Sequence, residues 1–133
     1  MAEMGLVRTD IVLSNARDRA VTPVVVDALV DTGALYLCIP DALAKRLGLE
    51  KLEEREVTTA DGTKCLCAYV GPVEVHFGNR GCFVGAIVLG DEVLLGAMPM
   101  EDMDLIVSPA TRTVTVNPAS PNIPSSIVKP LLV

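Results

Sequence analysis

The stretch Val7–Leu13, apolar at Val7 and again over Ile11–Leu13, reads as a strand. The polar stretch Ser14–Arg19 reads as a turn, and Val21–Leu29 as a second extended run interrupted by Pro23 and Asp27, so a hairpin is expected. That run delivers the chain into Asp31, Thr32, Gly33 and Ala34, a tight loop, after which Leu35–Ile39 resumes an apolar strand. Pro40 and Asp41 open a helix that places Leu43, Ala44 and Leu47 on one face and ends at Gly48.

Charged residues dominate Glu50–Glu56, which reads as a solvated run. Val57–Ala60 and Thr63–Val70 flank Asp61-Gly62, and an Asp-Gly pair between β-rich segments is a strong hairpin signal, here termed the flap. A second hairpin is expected from Val73–Phe77 and Cys82–Val88, which flank Gly78, Asn79, Arg80 and Gly81. Val93–Leu95 is a short buried strand ending at Gly96, Met98–Met103 has room for one or two helical turns, and Leu105–Val107 and Thr113–Val116 extend again. From Asn117 onward Pro118, Pro121, Pro124 and Pro130 forbid a regular helix or central strand. Residues 1–117 are therefore expected to form one domain and 118–133 a Pro-rich tail.

Composition narrows the class. Half of the 133 residues are apolar, enough for a core without disulfides or structural metal, and only four are aromatic: Tyr36, Tyr69, Phe77 and Phe83. An aliphatic core rich in β-branched residues favours a mostly β protein. A formal charge of −6 with no Lys/Arg cluster argues against a nucleic-acid or anionic-membrane partner. The apolar stretches near Val21–Val30 and Phe83–Leu89 fall far short of the roughly 20 residues a spanning helix needs. Met1–Thr9 lacks the pattern of a secretory signal, so a cytoplasmic location is expected. Without an export signal, Cys38, Cys65, Cys67 and Cys82 read as free thiols. Cys65 and Cys67 form a C-x-C pair, but no second Cys/His pair at ligand spacing accompanies them, and no metal is expected.

The chemistry should lie in Ala28-Leu29-Val30-Asp31-Thr32-Gly33-Ala34. An apolar strand carries the Asp31 carboxylate on a rigid element into a cleft, Thr32 adds a hydroxyl, and Gly33 lets the backbone turn tightly. This segment resembles the active-site loop of the retropepsin-like (clan AA) aspartic proteases, the group that contains the retroviral proteases and small single-domain bacterial relatives. Leu94-Leu95-Gly96 followed by a short helix is similar to that family's second signature, and the Asp61-Gly62 hairpin falls where the family has its substrate-covering flap. Leu47-Gly48-Leu49 after the main helix is similar to the bacterial subgroup, and the likeness spans roughly residues 5–117. Retroviral enzymes carry further acidic residues just after the motif, whereas Leu35 and Tyr36 follow Ala34 here, so substrate preference does not transfer.

The resemblance implies a closed β-barrel, half of an acid-protease fold, with one main helix and one short helix. It implies an aspartic endopeptidase with no cofactor, in which Asp31, Thr32 and Gly33 are catalytic and Ala34, Ala60, Asp61, Gly62, Thr63, Leu94, Leu95 and Gly96 contact a protein or peptide substrate. Asp-Thr-Gly occurs once per chain, so the second aspartate would come from another copy, with a two-fold axis between two Asp31 residues. Terminal segments would help to hold that homodimer, with Met4–Leu6 and Ile127–Val133 as candidates and Thr32 clasping its counterpart. Two other readings stay open: a retropepsin-fold binding or dimerisation module without catalysis, and a redox or metal sensor using Cys65 and Cys67. His76 reads as a surface or edge residue, and Met98, Met100 and Met103 as packing residues.

Overall fold

A computed structural model describes residues 6–128. Nine strands and two short helices follow in the order β1 (Val7–Asn15), β2 (Val24–Val30), β3 (Leu37–Ile39), α1 (Asp41–Arg46), β4 (Glu50–Thr58), β5 (Lys64–Phe77), β6 (Arg80–Val88), β7 (Val93–Leu95), α2 (Ala97–Asp102), β8 (Leu105–Ser108) and β9 (Thr113–Val116). The main sheet runs β1-β2-β7-β3-β6-β5, and a further β1–β5 pairing closes these strands into a ring. The mostly β, closed-barrel expectation holds, with only two short helices.

Alternation explains the ring. In β1, Val7, Ile11 and Leu13 point inward while Arg8 and Asp10 face solvent, and β2 pairs with it in antiparallel register, Ile11 opposite Val26. The interior is aliphatic: Ile11, Leu13, Leu37, Ile39, Val73, Val75 and Leu95 are each at most 1% exposed. Burying each such side chain contributes about 1.5–3 kcal/mol, and Phe77 packs against this largely aliphatic core from its edge.

Two differences from the sequence reading matter for the site. Thr63–Val70 and Val73–Phe77, expected as separate strands, are one long strand, β5, whose ladder with β6 shifts register between Val70 and Val73. The irregularity turns the strand: Val73–His76 pairs with both β1 and β6, Tyr69 and Val70 still pair with β6, and Lys64–Ala68 continues with β4 alone as a hairpin arm. The charged run Glu50–Glu56, read from the sequence only as a solvated run, is most of β4. It lies at the end of the strand order, paired on one side only, so its charged side chains reach water without leaving a strand.

The segment after α2 pairs with itself, β8 with β9, as a separate two-stranded sheet. The proline-bearing segment that follows is tied back to the body. Asp104 accepts from Asn117 Nδ2 at 3.1 Å, from the Ser120 hydroxyl and from the Ser125 N–H at 2.9 Å. These bonds, Ser120 first, hold its carboxyl down at about 2. Asn79 donates to Pro121 O at 3.0 Å, and buried Arg80 donates to Ser120 O. The expected dimer segments Met4–Leu6 and Ile127–Val133 lie largely outside the described residues; Leu6, Ile127 and Val128 are described and exposed.

Buried Asn15 joins β1 to the end of α1. Its Nδ2 donates to Leu47 O at 3.0 Å and Gly48 O at 3.1 Å, and its Oδ1 accepts the N–H groups of Arg17 and Asp18. Asn15→Ala leaves those carbonyls without a donor and is expected to lower the unfolding free energy by about 2 kcal/mol. Urea denaturation checks this, with the midpoint falling and the m-value unchanged.

Candidate active site

β2 ends at Val30, and parallel pairing with β7 sets Val30 beside Leu95. The next residue, Asp31, is fixed by its own backbone: its N–H donates to Leu95 O at 3.0 Å. Its Oδ1 accepts the Gly33 N–H at 3.0 Å, and its carbonyl accepts the Ala34 N–H at 3.0 Å, closing a tight turn. The loop then grips the start of α2, where the Ala97 N–H donates to Ala34 O at 2.8 Å and the Met98 N–H to Leu35 O at 3.0 Å. Gly96 sits between these bonds. A Cβ there would lie 2.3 Å from Tyr36 O and 2.8 Å from Ala34 O, so only glycine lets the two backbones meet. Asp-Thr-Gly and Leu-Leu-Gly, distant in sequence, thus form one hydrogen-bonded unit with the Asp31 side chain at the surface.

That unit floors a cleft of about 650 Å³. Asp31, Gly33, Ala34 and Leu94 line one side and Val57, Thr58, Thr59 and Ala60, from the β4–β5 hairpin, the other. Of the residues singled out in the sequence, Asp31, Gly33, Ala34, Ala60 and Leu94 line the cleft. Thr32 is exposed on the loop beside it, while Leu95 and Gly96 are buried behind the loop and support it. Asp61, Gly62 and Thr63 form the hairpin tip. There the Gly62 N–H donates to Thr59 O at 2.9 Å, and Asp61 Oδ1 accepts the Thr59 hydroxyl and the Thr63 N–H. These bonds, the Thr59 hydroxyl first, lower the Asp61 carboxyl to about 2.

Sequence reasoning missed Tyr36, Cys38, Ile87 and Leu89 as cleft residues. Their alternation within apolar runs was visible, but its direction depends on β3 lying between β6 and β7. It also missed a clasp at the root of the flap. The Arg55 guanidinium lies 3.7 Å from the Tyr69 ring centroid and 5.4 Å from that of Tyr36, and its Nη1 donates to the Tyr36 hydroxyl at 3.1 Å. Tyr69 has room for this only because β6 carries Gly85 opposite; a Cβ there would come within 2.1 Å of the ring. The clasp ties the flap strand to the residue two positions past Ala34.

Burial raises the Cys38 thiol, helped by the Asp31 charge, and burial pushes Cys82 up to about 12, so both are protonated at neutral pH. His76 is exposed, with Nε2 2.6 Å from a Glu74 oxygen, away from the cleft residues. Among the described residues no three His, Cys, Asp or Glu side chains gather as a metal site would. Likewise no described helix is long and apolar enough to cross a membrane.

The family model described as "gag-polyprotein putative aspartyl protease" matches residues 20–102, a span that takes in the Asp31 loop, the flap and Leu94-Leu95-Gly96. No curated protein matches the chain.

Gly96→Ala is expected to displace the Asp31 loop, lowering the melting temperature and broadening the amide resonances of residues 31–36 in NMR spectra. The flap tip carries a pH signature of its own. Asp61 is depressed from an ordinary value of about 3.9 to about 2, so its ionised form stabilises the turn fully above roughly pH 4. That support is lost as pH falls through about 2, and the Thr63 amide proton shift is expected to titrate with that midpoint.

Proposed function

The chain belongs to this aspartyl protease family, and on that premise we propose that it is an aspartic endopeptidase that works as a symmetric homodimer. The observation that carries the reading is the state of Asp31: a carboxylate exposed at the floor of the cleft, oriented by the Gly33 N–H, on a loop clamped to β7 and α2. The chain holds a single Asp-Thr-Gly, so a two-fold axis beside this loop brings in the second carboxylate. Leu35 on the Asp31 loop and Met98 in α2, held side by side by the Met98 N–H to Leu35 O bond, are 52% and 47% exposed. They are the apolar contact we assign to the partner copy, with Thr32 of each chain facing its counterpart across the axis.

Two carboxylates at hydrogen-bond distance cannot both ionise cheaply and share one proton, so the pair titrates as a unit. The ionised member takes a proton from a water held between the two while the protonated member donates to the scissile carbonyl. Water adds directly to that carbon, the proton moves on to the leaving amine as the C–N bond breaks, and no covalent enzyme intermediate forms. The flap, with Ala60 near its tip and Asp61, Gly62 and Thr63 at the turn, covers an extended peptide in the cleft and excludes bulk water. The wall residues Ala34, Leu94, Ile87 and Leu89 favour apolar substrate side chains.

Asp31→Asn is expected to fold and dimerise normally yet lose roughly a thousandfold in kcat or more, and a statine-type transition-state mimic should block the wild type. Specific activity should also fall on dilution below the dimer dissociation constant. A peptide-library assay from acid to mildly alkaline pH with analytical ultracentrifugation checks this. A well-folded dimer without cleavage, or one that holds the Asp31 carboxylates beyond hydrogen-bond reach, would instead make the chain a binding or dimerisation module.

A further inference from the structure

The flap arm carries chemistry that peptide hydrolysis does not use. Cys65 and Cys67 stand two residues apart on β5, so their side chains leave the same face, and their Sγ atoms are 3.5 Å apart. That face turns toward the cleft wall. Cys67 packs with Cys38 and Ile87, which line the cleft, and Cys65 joins the edge of the cluster with Val57. Cys67 is buried, whereas Cys65 keeps partial exposure. A small solute therefore meets Cys65 first, with the second sulfur waiting directly behind it.

We propose that Cys65 and Cys67 are a reversible oxidation site for small hydroperoxides, and that closing their disulfide distorts the flap and slows turnover. The effect on turnover rests on the aspartic protease reading; the oxidation site does not. In the first step the Cys65 sulfur attacks the outer peroxide oxygen, the O–O bond breaks, and the Cys65 proton leaves with the alcohol, or with water when the oxidant is hydrogen peroxide. Cys65 is then a sulfenic acid. Cys67 Sγ attacks that sulfur, the S–S bond forms, and the hydroxyl departs with the Cys67 proton as water. Two thiols have lost two hydrogens, and one hydroperoxide has been reduced.

Strand geometry couples this bond to the flap. Residues two apart in an extended strand have Cα atoms about 6.8 Å apart, at the outer limit of the roughly 4.4–6.8 Å that disulfides accept. Bringing the sulfurs from 3.5 Å to about 2.05 Å draws β5 together at Leu66. The strand opposite feels the pull, because Cys65, Leu66 and Cys67 pair with Val57, Glu56 and Arg55. Val57 and Glu56 line the cleft and Arg55 makes the clasp on Tyr36 and Tyr69, so wall and clasp shift together. A bond closed against its strand is also readily reopened by a dithiol reductant.

The test treats the wild type and the Cys65→Ser, Cys67→Ala and Cys38→Ser variants with hydrogen peroxide, alkylates the remaining thiols and maps the peptides by mass spectrometry. Hydrogen exchange over residues 55–67 and peptide hydrolysis are followed in parallel, and circular dichroism verifies folding. The expected result is a Cys65–Cys67 peptide lacking two hydrogens in the wild type and in Cys38→Ser, with faster flap exchange and a several-fold drop in kcat that dithiothreitol reverses. Cys65→Ser and Cys67→Ala should escape the peroxide-dependent drop; if either fails to fold, the wild-type map decides alone. Linkage through Cys38, oxidation that stops at sulfinic acid, or a linked peptide with unchanged flap exchange overturns the proposal. Mapping and exchange need no substrate, so a wild type that forms the disulfide and loosens its flap but never cleaves peptide supports this site and defeats only the hydrolytic reading.

Discussion

The structure depends on one close approach, the passage of the Asp31 loop across the backbone at Gly96. Three backbone hydrogen bonds, from the N–H groups of Asp31, Ala97 and Met98, cross that contact, and no side chain fits between the partners. Backbone amides have no rotamers, so a carboxylate anchored this way is held more rigidly than one placed by side-chain packing. β2 and β7 lie parallel and adjacent in the barrel, which sends both chain segments to the same end. The ring closure by β1 and β5 fixes that neighbourhood, and the aliphatic interior beneath it resists deformation.

The flap obeys a looser rule. It is a two-stranded arm in which Lys64–Ala68 of β5 has left β6, and among the described residues β4 pairs with β5 alone. Such an arm shares little of the core's cooperativity. Among the described residues its aromatic anchor is at the root, where Arg55 lies against Tyr69 and Tyr36. The tip is held by local bonds among Thr59, Asp61, Gly62 and Thr63, so its shape survives movement of the whole arm.

Much of this was legible in the chain. Asp-Gly at 61–62 is a local signal read by local turn chemistry, and β1 and β2 were legible as apolar extended runs on either side of a polar turn. The two glycine signatures were legible through their resemblance to those of the retropepsin-like family, where a strand end, a turn and a close contact each restrict residue type. The charged edge was not, since Glu50–Glu56 has no apolar stripe and becomes a strand only because β5 offers it a ladder. Nor was the aromatic clasp: Tyr36, Arg55, Tyr69 and Gly85 are scattered in sequence, and their meeting is a product of strand order. The cysteine pair was visible as a spacing, while its place against the cleft wall needed the fold.

The strap formed by Asn117, Ser120 and Ser125 on Asp104, with Ser120 also on Arg80, moves the energetic boundary of this protein beyond its last strand. Arg80, 1% exposed under irregular chain, receives one hydrogen-bond acceptor from it, Ser120 O. Trimming the polypeptide after β9, where the regular architecture stops, would strip the cover from an interior cation and the ligands from its neighbouring anion. The shortest self-sufficient version of this barrel therefore includes residues that belong to no element of it.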